Sequence, residues 1–533
     1  MNEPYLTDEA IRQVVATIAR DPAAVMALAD NRFGLEKESL RVTRDGHLAL
    51  TPHPQALGSP LCHPHITTDY SESLLEFVTG AHSTAQATLN ELKAIHQETH
   101  RVLAAQGETL WCNSMPCFTD NEADIPIARY GQSNIAMMKE VYRLGLGHRY
   151  GRTMQIISGI HYNFSVSDRF WPCYQRLCHN NESLTTFKNR SYLGLIRNFH
   201  RFSPLIMYLF GASPTVCGSF VAKRPHGLQP LGNHDYGLPY ATSLRMGPLG
   251  YQSAAQQSLA ICYNSLDSYI TSLTQAICQP FAAYQALGLC DEHGNLKQLN
   301  TAILQIENEF YSTIRPKRIT ASGETPLRAL TRSGIEYVEV RCIDVDPFCA
   351  IGITKETMYF LEAFMMFCLL QPSPIFTDGE LHKHQANVLR AVQYGRDPDL
   401  TLDISGQSTS LTTWAQLLLE RMEPVVALLD SLHNRTMFKE AWLAQQVKVH
   451  DASLTPSAQL LATMSQKNLP FAKLTAEQSR HWQQSLLSEP STNEQQRYFT
   501  HLAENSFNQL QVLEASQQQP FDEYLRTFYE QYQ

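Results

Sequence analysis

The chain has 533 residues, 43% of them hydrophobic and 17% charged, and its 51 acidic against 42 basic side chains leave a net charge of -9. This length supports a large buried core, organised as roughly two to four domains or as one large catalytic unit. The acidic balance, without any long run of Lys or Arg, excludes a nucleic-acid surface built on phosphate neutralisation.

Helical patterns fill the first 30 residues. Period-two alternation then predicts a strand from Phe33 to Val42, which puts Glu36 and Glu38 on one face and Phe33, Leu35 and the stem of Lys37 on the other. Asp69 and Glu76 are seven residues apart, so on a helix they share a face beside an apolar stripe of Tyr70, Leu74 and Phe77. Further strands are predicted over Met154 to Ser165 and Ile335 to Ile343; in the latter, Tyr337, Glu339 and Arg341 share a face opposite Val338 and Val340. Between them, residues 211–250 are rich in Gly, Pro and Ser, as active-site loops often are.

The most apolar stretch, Met358 to Leu370, is interrupted by Glu362 and too short to span a bilayer; it reads as a buried helix begun by Thr354 and stopped before Pro372. Leu411, Trp414, Leu418, Met422, Val425 and Leu429 mark an amphipathic helix that Pro424 bends. From Asp451 the chain turns Gln- and Ser-rich with further helical stripes. The expectation is an α+β protein, sheet-rich over residues 1–350 and mainly helical over 351–533.

Met1-Asn2-Glu3-Pro4 carries no basic segment followed by an apolar core, so no secretory signal is read and a cytoplasmic location is expected. The twelve Cys show no CxxC or metal-type spacing and fit reduced core thiols. Gly145-Leu146-Gly147 is too weak to mark a nucleotide loop.

Chemistry concentrates in the acidic pairs. If the faces bearing Glu36, Glu38, Asp69 and Glu76 converge, the carboxylates cannot all stay ionised unless cations lie between them. Such oxygen-rich clusters suit magnesium, usually shared with nucleotide phosphates. Each element taken alone also fits a plainer reading. The first pair fits a solvated strand face, Asp69 a helix cap, Glu339 and Arg341 a cross-strand ion pair, and His161 a hydrogen-bonded core histidine. Arg315, Lys317 and Arg318 fit either a solvated loop or a grip on phosphates.

Phe33-Gly34-Leu35-Glu36-Lys37-Glu38-Ser39-Leu40-Arg41-Val42, Ile66-Thr67-Thr68-Asp69-Tyr70 and Leu74-Leu75-Glu76-Phe77 resemble the opening of the proteobacterial-type glutamate-cysteine ligase family. Leu110 to Cys117, Arg129-Tyr130-Gly131, Ile157 to Phe164, Leu209 to Pro214, Leu304 to Glu309 and Gly334 to Arg341 follow in that family's order. The resemblance is strong over roughly residues 31–350. It implies a curved, mainly antiparallel sheet of the glutamine synthetase-like type surrounded by helices, in one catalytic unit spanning 1–533. It also implies ATP as co-substrate and several magnesium ions, with manganese as an alternative, held by Glu36, Glu38, Asp69, Glu76, His161 and Glu339.

The implied reaction joins the γ-carboxylate of L-glutamate to the amino group of L-cysteine through a γ-glutamyl phosphate, the first step of glutathione biosynthesis. Glu339 and Arg341 would be catalytic, with Arg341 holding the transferring phosphate. Tyr70, Tyr142, Leu146, Gln155, Arg245 and Tyr251 would form the cysteine pocket. A phenylalanine is common in the family where this chain has Tyr70, a difference that bears on thiol selectivity. Gln305, Glu307 and the Arg315 to Arg318 segment are expected near the nucleotide. A second, ATP-grasp-like domain that would add glycine is not expected, nor is a nucleic-acid or membrane partner, and the chain is expected to be a monomer.

Overall fold

Strand β1, Arg32–Thr43, is the spine of the molecule, pairing with three other strands. A computed structural model describes residues 8–116, 121–222, 225–250, 254–257, 259–321, 323–433, 435–489, 491–517 and 519–533. In chain order the other strands are β2 (Ile66–Thr68), β3 (Leu74–Val78), β4 (Glu108–Leu110), β5 (Ile160–Ser165), β6 (Thr215–Cys217), β7 (Gln229–Gly232), β8 (Asp235–Gly237), β9 (Ile314–Lys317), β10 (Tyr337–Ile343), β11 (Thr401–Ile404) and β12 (Gln407–Ser410). The main sheet runs β2-β3-β1-β5-β10-β9 with β4 also on β1, and every pairing is antiparallel.

Register decides which residues meet. Glu38 stands opposite Glu76, Glu36 opposite His161, and Glu339 opposite both Asn163 and Arg315. Directly paired residues point to the same side of a sheet. One face of the sheet therefore carries Glu76, Glu38, Glu36, His161, Asn163, Glu339 and Arg315. The opposite face carries Leu75, Phe77, Leu35, Tyr162, Phe164, Val338, Val340 and Ile314, all buried. Against that apolar face pack the helices Ala85–Ala105 and Leu184–Phe210, and Lys355–Leu370 packs in turn on both of these helices.

The expected strand over Phe33 to Val42 is present, as is that over Ile335 to Ile343 from Tyr337 onward. Met154 to Ile156 is a 3-10 turn instead of strand, and β5 starts only at Ile160. The helix expected for Asp69 to Glu76 is a hairpin. Ile66, Thr67 and Thr68 are β-inclined, Asp69 N donates to Leu74 O (3.0 Å) and Leu74 N to Ser71 O (2.9 Å), and β3 then completes the ladder on β1. A seven-residue spacing fits two turns of helix, but here it spans a tight turn that returns the chain to the same face.

Lys355–Leu370 is capped by the Thr354 side chain, and Leu411–His433 contains Pro424, as anticipated. Long helices also occupy the part read as sheet-rich, notably Asn134–Tyr150 and Leu184–Phe210. Of the cysteines, Cys112, Cys217, Cys342 and Cys368 are buried thiols, whereas Cys178, Cys278 and Cys290 are exposed and Cys117 lies outside the described residues. No helix among the described residues is long and apolar enough to cross a membrane.

Candidate active site

The polar face of the sheet opens into a cavity of about 310 Å³. Glu36, Glu38, Asp69, Glu76, His161, Glu339 and Arg341 all line it, so the residues expected to hold metal and phosphate occupy one chamber. Tyr70, Tyr142, Leu146 and Gln155 form part of the same wall. Arg245 does not: it lines a neighbouring cavity that shares His161, Tyr311 and Arg341 with the first. Tyr251 lies outside the described residues.

Within the chamber, Glu36 and Glu339 each lie close to His161. His161 Nδ1 is 3.0 Å from Glu36 Oε2 and 4.0 Å from Glu339 Oε1, and Asn163 Nδ2 donates to Glu36 Oε1 at 2.9 Å. One ligand atom from each of Glu36, His161 and Glu339 falls within 4.8 Å of the others. His161 Nε2 is buried and has no hydrogen-bond partner, with Glu38 Oε1 3.9 Å away. A buried ring nitrogen without a partner, surrounded by carboxylate oxygens, fits a divalent cation with mainly oxygen ligands.

The titration behaviour of the acids divides along the sheet. Burial and the neighbouring Asp69 push Glu38 up to about 8. Burial, with Glu36, Asp69 and Glu38 adding repulsion, pushes Glu76 well above the ordinary carboxylate range. Burial also works against the ionised form of Glu339, but Lys317 at 3.2 Å and Arg341 at 2.8 Å outweigh it and hold Glu339 well below that range. Glu36 likewise sits low: burial is outweighed by the His161 hydrogen bond and Lys317. The β10–β9 side thus carries cations that prevail over burial, while at Glu38 and Glu76 burial and neighbouring carboxylates outweigh the pull of Arg245 and Arg341 on the first and of Lys139 on the second.

The backbone positions these groups firmly. Glu38 Oε2 accepts from Gly159 N at 2.6 Å, and Glu38 N donates to Gly159 O at 3.0 Å. Gly159 itself is required by a close approach, since a Cβ there would lie 1.9 Å from Arg245 Nη2. That guanidinium, 1% exposed, donates to Arg341 O at 2.8 Å and lies 3.7 Å from Asp344 Oδ1. Asp344 is anchored in turn by Ala212 N, Ser213 Oγ and Ser243 Oγ. The Gly-, Pro- and Ser-rich segment is thereby tied to the end of β10.

Sequence reasoning missed several residues. Lys139 and Arg143 share with the expected Tyr142 and Leu146 one stripe of the helix Asn134–Tyr150 facing the chamber, a three-four spacing legible in principle. Arg143 Nε donates to Asp69 O and fixes the hairpin turn. Tyr311, Asn308 and Glu309 come from loop and 3-10 backbone and gave no periodic signal. Arg315 and Lys317 do line the chamber, but Arg318 turns outward to Gly334 O and Glu336. Gln305 and Glu307 do not line it. Gln305 fills the space beside Gly145, where a Cβ would meet its Oε1 at 2.1 Å, and Glu307 accepts from Leu327 N and Tyr532. Tyr70 contributes its ring, while its hydroxyl is buried against Gly147 without a partner.

Carboxylates short of cations, set beside fixed guanidinium and ammonium groups on an antiparallel sheet, equip an enzyme to handle nucleotide phosphates; the class is that of an ATP-using ligase. A family model for glutamate-cysteine ligase matches residues 17–391. The chain is 47% identical to the glutamate-cysteine ligase of Azotobacter vinelandii over 95% of its own length and 96% of that protein, and 46% identical to that of Saccharophagus degradans over 94% of each. A crystal structure of the Francisella tularensis glutamate-cysteine ligase in complex with AMP superposes with a TM-score of 0.88 at 36% identity, covering 94% of this chain and 98% of that one. The chain belongs to the glutamate-cysteine ligase family.

Proposed function

We propose that the chain joins the γ-carboxylate of L-glutamate to the amino group of L-cysteine at the expense of ATP, through a γ-glutamyl phosphate, yielding γ-glutamylcysteine, ADP and phosphate as the first step of glutathione biosynthesis. The observation that carries this reading is the convergence of Glu36, Glu38, Asp69, Glu76, His161, Glu339 and Arg341 on one chamber in a chain of this family.

Glu36, Glu38, Asp69, Glu76, His161 and Glu339 would hold magnesium or manganese ions, which when bound neutralise phosphate charge and polarise the transferring group. The chain's own cations do the rest. Arg341, oriented by its 2.8 Å bond to Glu339, offers a fixed fork of donors to a phosphoryl group, and Lys317 and Arg315 extend that positive edge along β9. The wall of Tyr142, Leu146, the Tyr70 ring and Gln155 suits a small thiol-bearing amino acid.

The enclosed antiparallel sheet supports kinship with the catalytic sheet of glutamine synthetase. We further read residues 1–533 as one catalytic unit, a cytoplasmic monomer whose ligands are small molecules. Sedimentation at micromolar concentration tests the oligomeric state. The decisive experiment is ADP release with each substrate omitted in turn: the reading requires turnover that needs glutamate, cysteine and a divalent cation together. ADP formation that ignores cysteine and every other amine would overturn it.

A further inference from the structure

Two sequence features have no part in the chemistry described so far: the segment Leu304 to Glu309, whose Gln305 and Glu307 turn away from the chamber, and the triplet Gly145-Leu146-Gly147. The fold brings them together. Helix Asn134–Tyr150 presents Tyr142 and Leu146 to the chamber, and Gly145 lies between them in the chain. A Cβ on Gly145 would stand 2.1 Å from Gln305 Oε1, so the missing side chain admits the Gln305 amide against the helix. A Cβ on Gly147 would stand 2.5 Å from the Tyr70 hydroxyl. Glycine inside a helix is less stable there than alanine, so two within three residues call for a packing reason, and these close approaches supply it.

Gln305 is wholly buried, and each of its polar atoms is bonded. Its Oε1 accepts from Leu299 N at 2.9 Å, and its Nε2 donates to Tyr142 O at 3.2 Å. Its backbone N donates to Glu309 Oε2 at 2.6 Å, while its backbone O accepts from Asn300 Nδ2 at 3.0 Å and from the Tyr529 hydroxyl at 2.9 Å. Glu309 borders the chamber, yet its other oxygen is also taken, by Arg149 Nη1 at 3.0 Å and the Tyr150 hydroxyl at 2.6 Å. Arg149 and Tyr150 end the same helix that carries Tyr142 and Leu146. Glu309 is therefore spent as a brace between that helix and Gln305. A fully satisfied buried network of this kind holds its members in one arrangement.

We infer that Gln305 is a positioning residue for the acceptor amino acid: its amide, braced by Glu309 and Tyr529, sets how far the Tyr142 and Leu146 stripe stands from the sheet, and with it the width of the pocket that takes cysteine. The inference rests on the ligase reading above and on the acceptor wall placed there. Gln305 does not line the chamber and acts through the helix. Its loss removes the bond to Tyr142 O and opens a void beside Gly145, so the stripe can settle away from the acceptor. The carboxylates of the sheet are held by the β1, β3, β5 and β10 ladders, in which Gln305 has no part. Cysteine binding should therefore suffer before nucleotide binding does.

The test measures KM and kcat for cysteine and ATP in wild type, Gln305→Ala, Gly145→Ala and the double variant. Each single substitution is expected to raise the cysteine KM about fivefold or more, with the ATP KM within about twofold and kcat at saturating cysteine within about threefold of wild type. Both act on one contact, and the methyl added at position 145 enters the space vacated at 305, so the double variant should be no worse than the worse single. Should these core substitutions fail to fold, Tyr529→Phe on the half-buried helix Phe521–Tyr529 removes only the brace on Gln305 O and is expected to raise the cysteine KM about threefold. An unchanged cysteine KM, an equal rise for cysteine and ATP, or losses that simply multiply in the double variant would overturn the assignment. Absence of wild-type turnover would overturn the ligase reading instead, so the two failures are distinct.

Discussion

Gly159→Ala is the substitution whose consequence the geometry constrains most. The new Cβ would stand 1.9 Å from Arg245 Nη2 and 2.3 Å from its Cζ, far inside contact distance. The backbone cannot yield, because Gly159 N and O are both bonded to Glu38, at 2.6 and 3.0 Å. The guanidinium must therefore move, giving up its 2.8 Å bond to Arg341 O and leaving Asp344, which is 2% exposed, without its nearest cation. A hydrogen bond from a charged donor contributes about 1.5–3 kcal/mol, and uncovering a buried carboxylate adds to the loss. Asp344 can recover part of it by taking a proton, since burial already raises its pKa. We expect a net destabilisation of about 3 kcal/mol in urea unfolding. Stability within about 0.5 kcal/mol of wild type would refute the close-approach argument.

Glu339→Gln removes the carboxylate that Lys317 and Arg341 flank; turnover should fall by about a thousandfold or more with the far-ultraviolet circular dichroism unchanged, and near-normal rates would remove Glu339 from the chemistry. Tyr70→Phe deletes a buried hydroxyl that has no partner, so stability should stay level or rise by about 1 kcal/mol, with the cysteine KM within about twofold; a large loss of cysteine affinity would show that the hydroxyl reaches the acceptor. Burial, aided by His65, Lys37, and His384 with Arg201 respectively, lowers His63 to about 4 and His100 and His200 to about 3 from an ordinary 6.5. The unfolded chain then holds more protons between those values, so the contribution of these neutral histidines is complete above pH 6.5 and is lost as the pH falls toward 3 or 4, each by up to about 1.4 kcal/mol per unit. Urea midpoints that stay flat from pH 7.5 to about 5.5 would contradict this.

Much of the site was legible because strands write their faces into the sequence. The alternation of Phe33 to Val42 and of Ile335 to Ile343 assigned Glu36, Glu38, Glu339 and Arg341 to their faces before any pairing was known. The helix Lys355–Leu370, with Thr354 as its cap, was equally plain, because capping and apolar runs are local properties. The Asp69–Glu76 segment was misread for a related reason. Seven residues suit two helical turns as well as a hairpin, and only the free ladder of β1 selects the strand, by bonding β3.

The sequence by itself determined that this chain carries acidic pairs on ordered faces, and the order of its motifs placed it in its family. Tertiary structure alone decided that Glu38 faces Glu76, that Glu36 faces His161, that Lys139 and Arg143 close the chamber from a helix, and that Arg245 lines a neighbouring cavity that has no carboxylate among the described residues of its lining. The reason is physical. Faces and caps follow from neighbours within a few residues, whereas strand register and the partition of side chains between neighbouring cavities depend on contacts between segments far apart in the chain, such as Gly159 against Arg245.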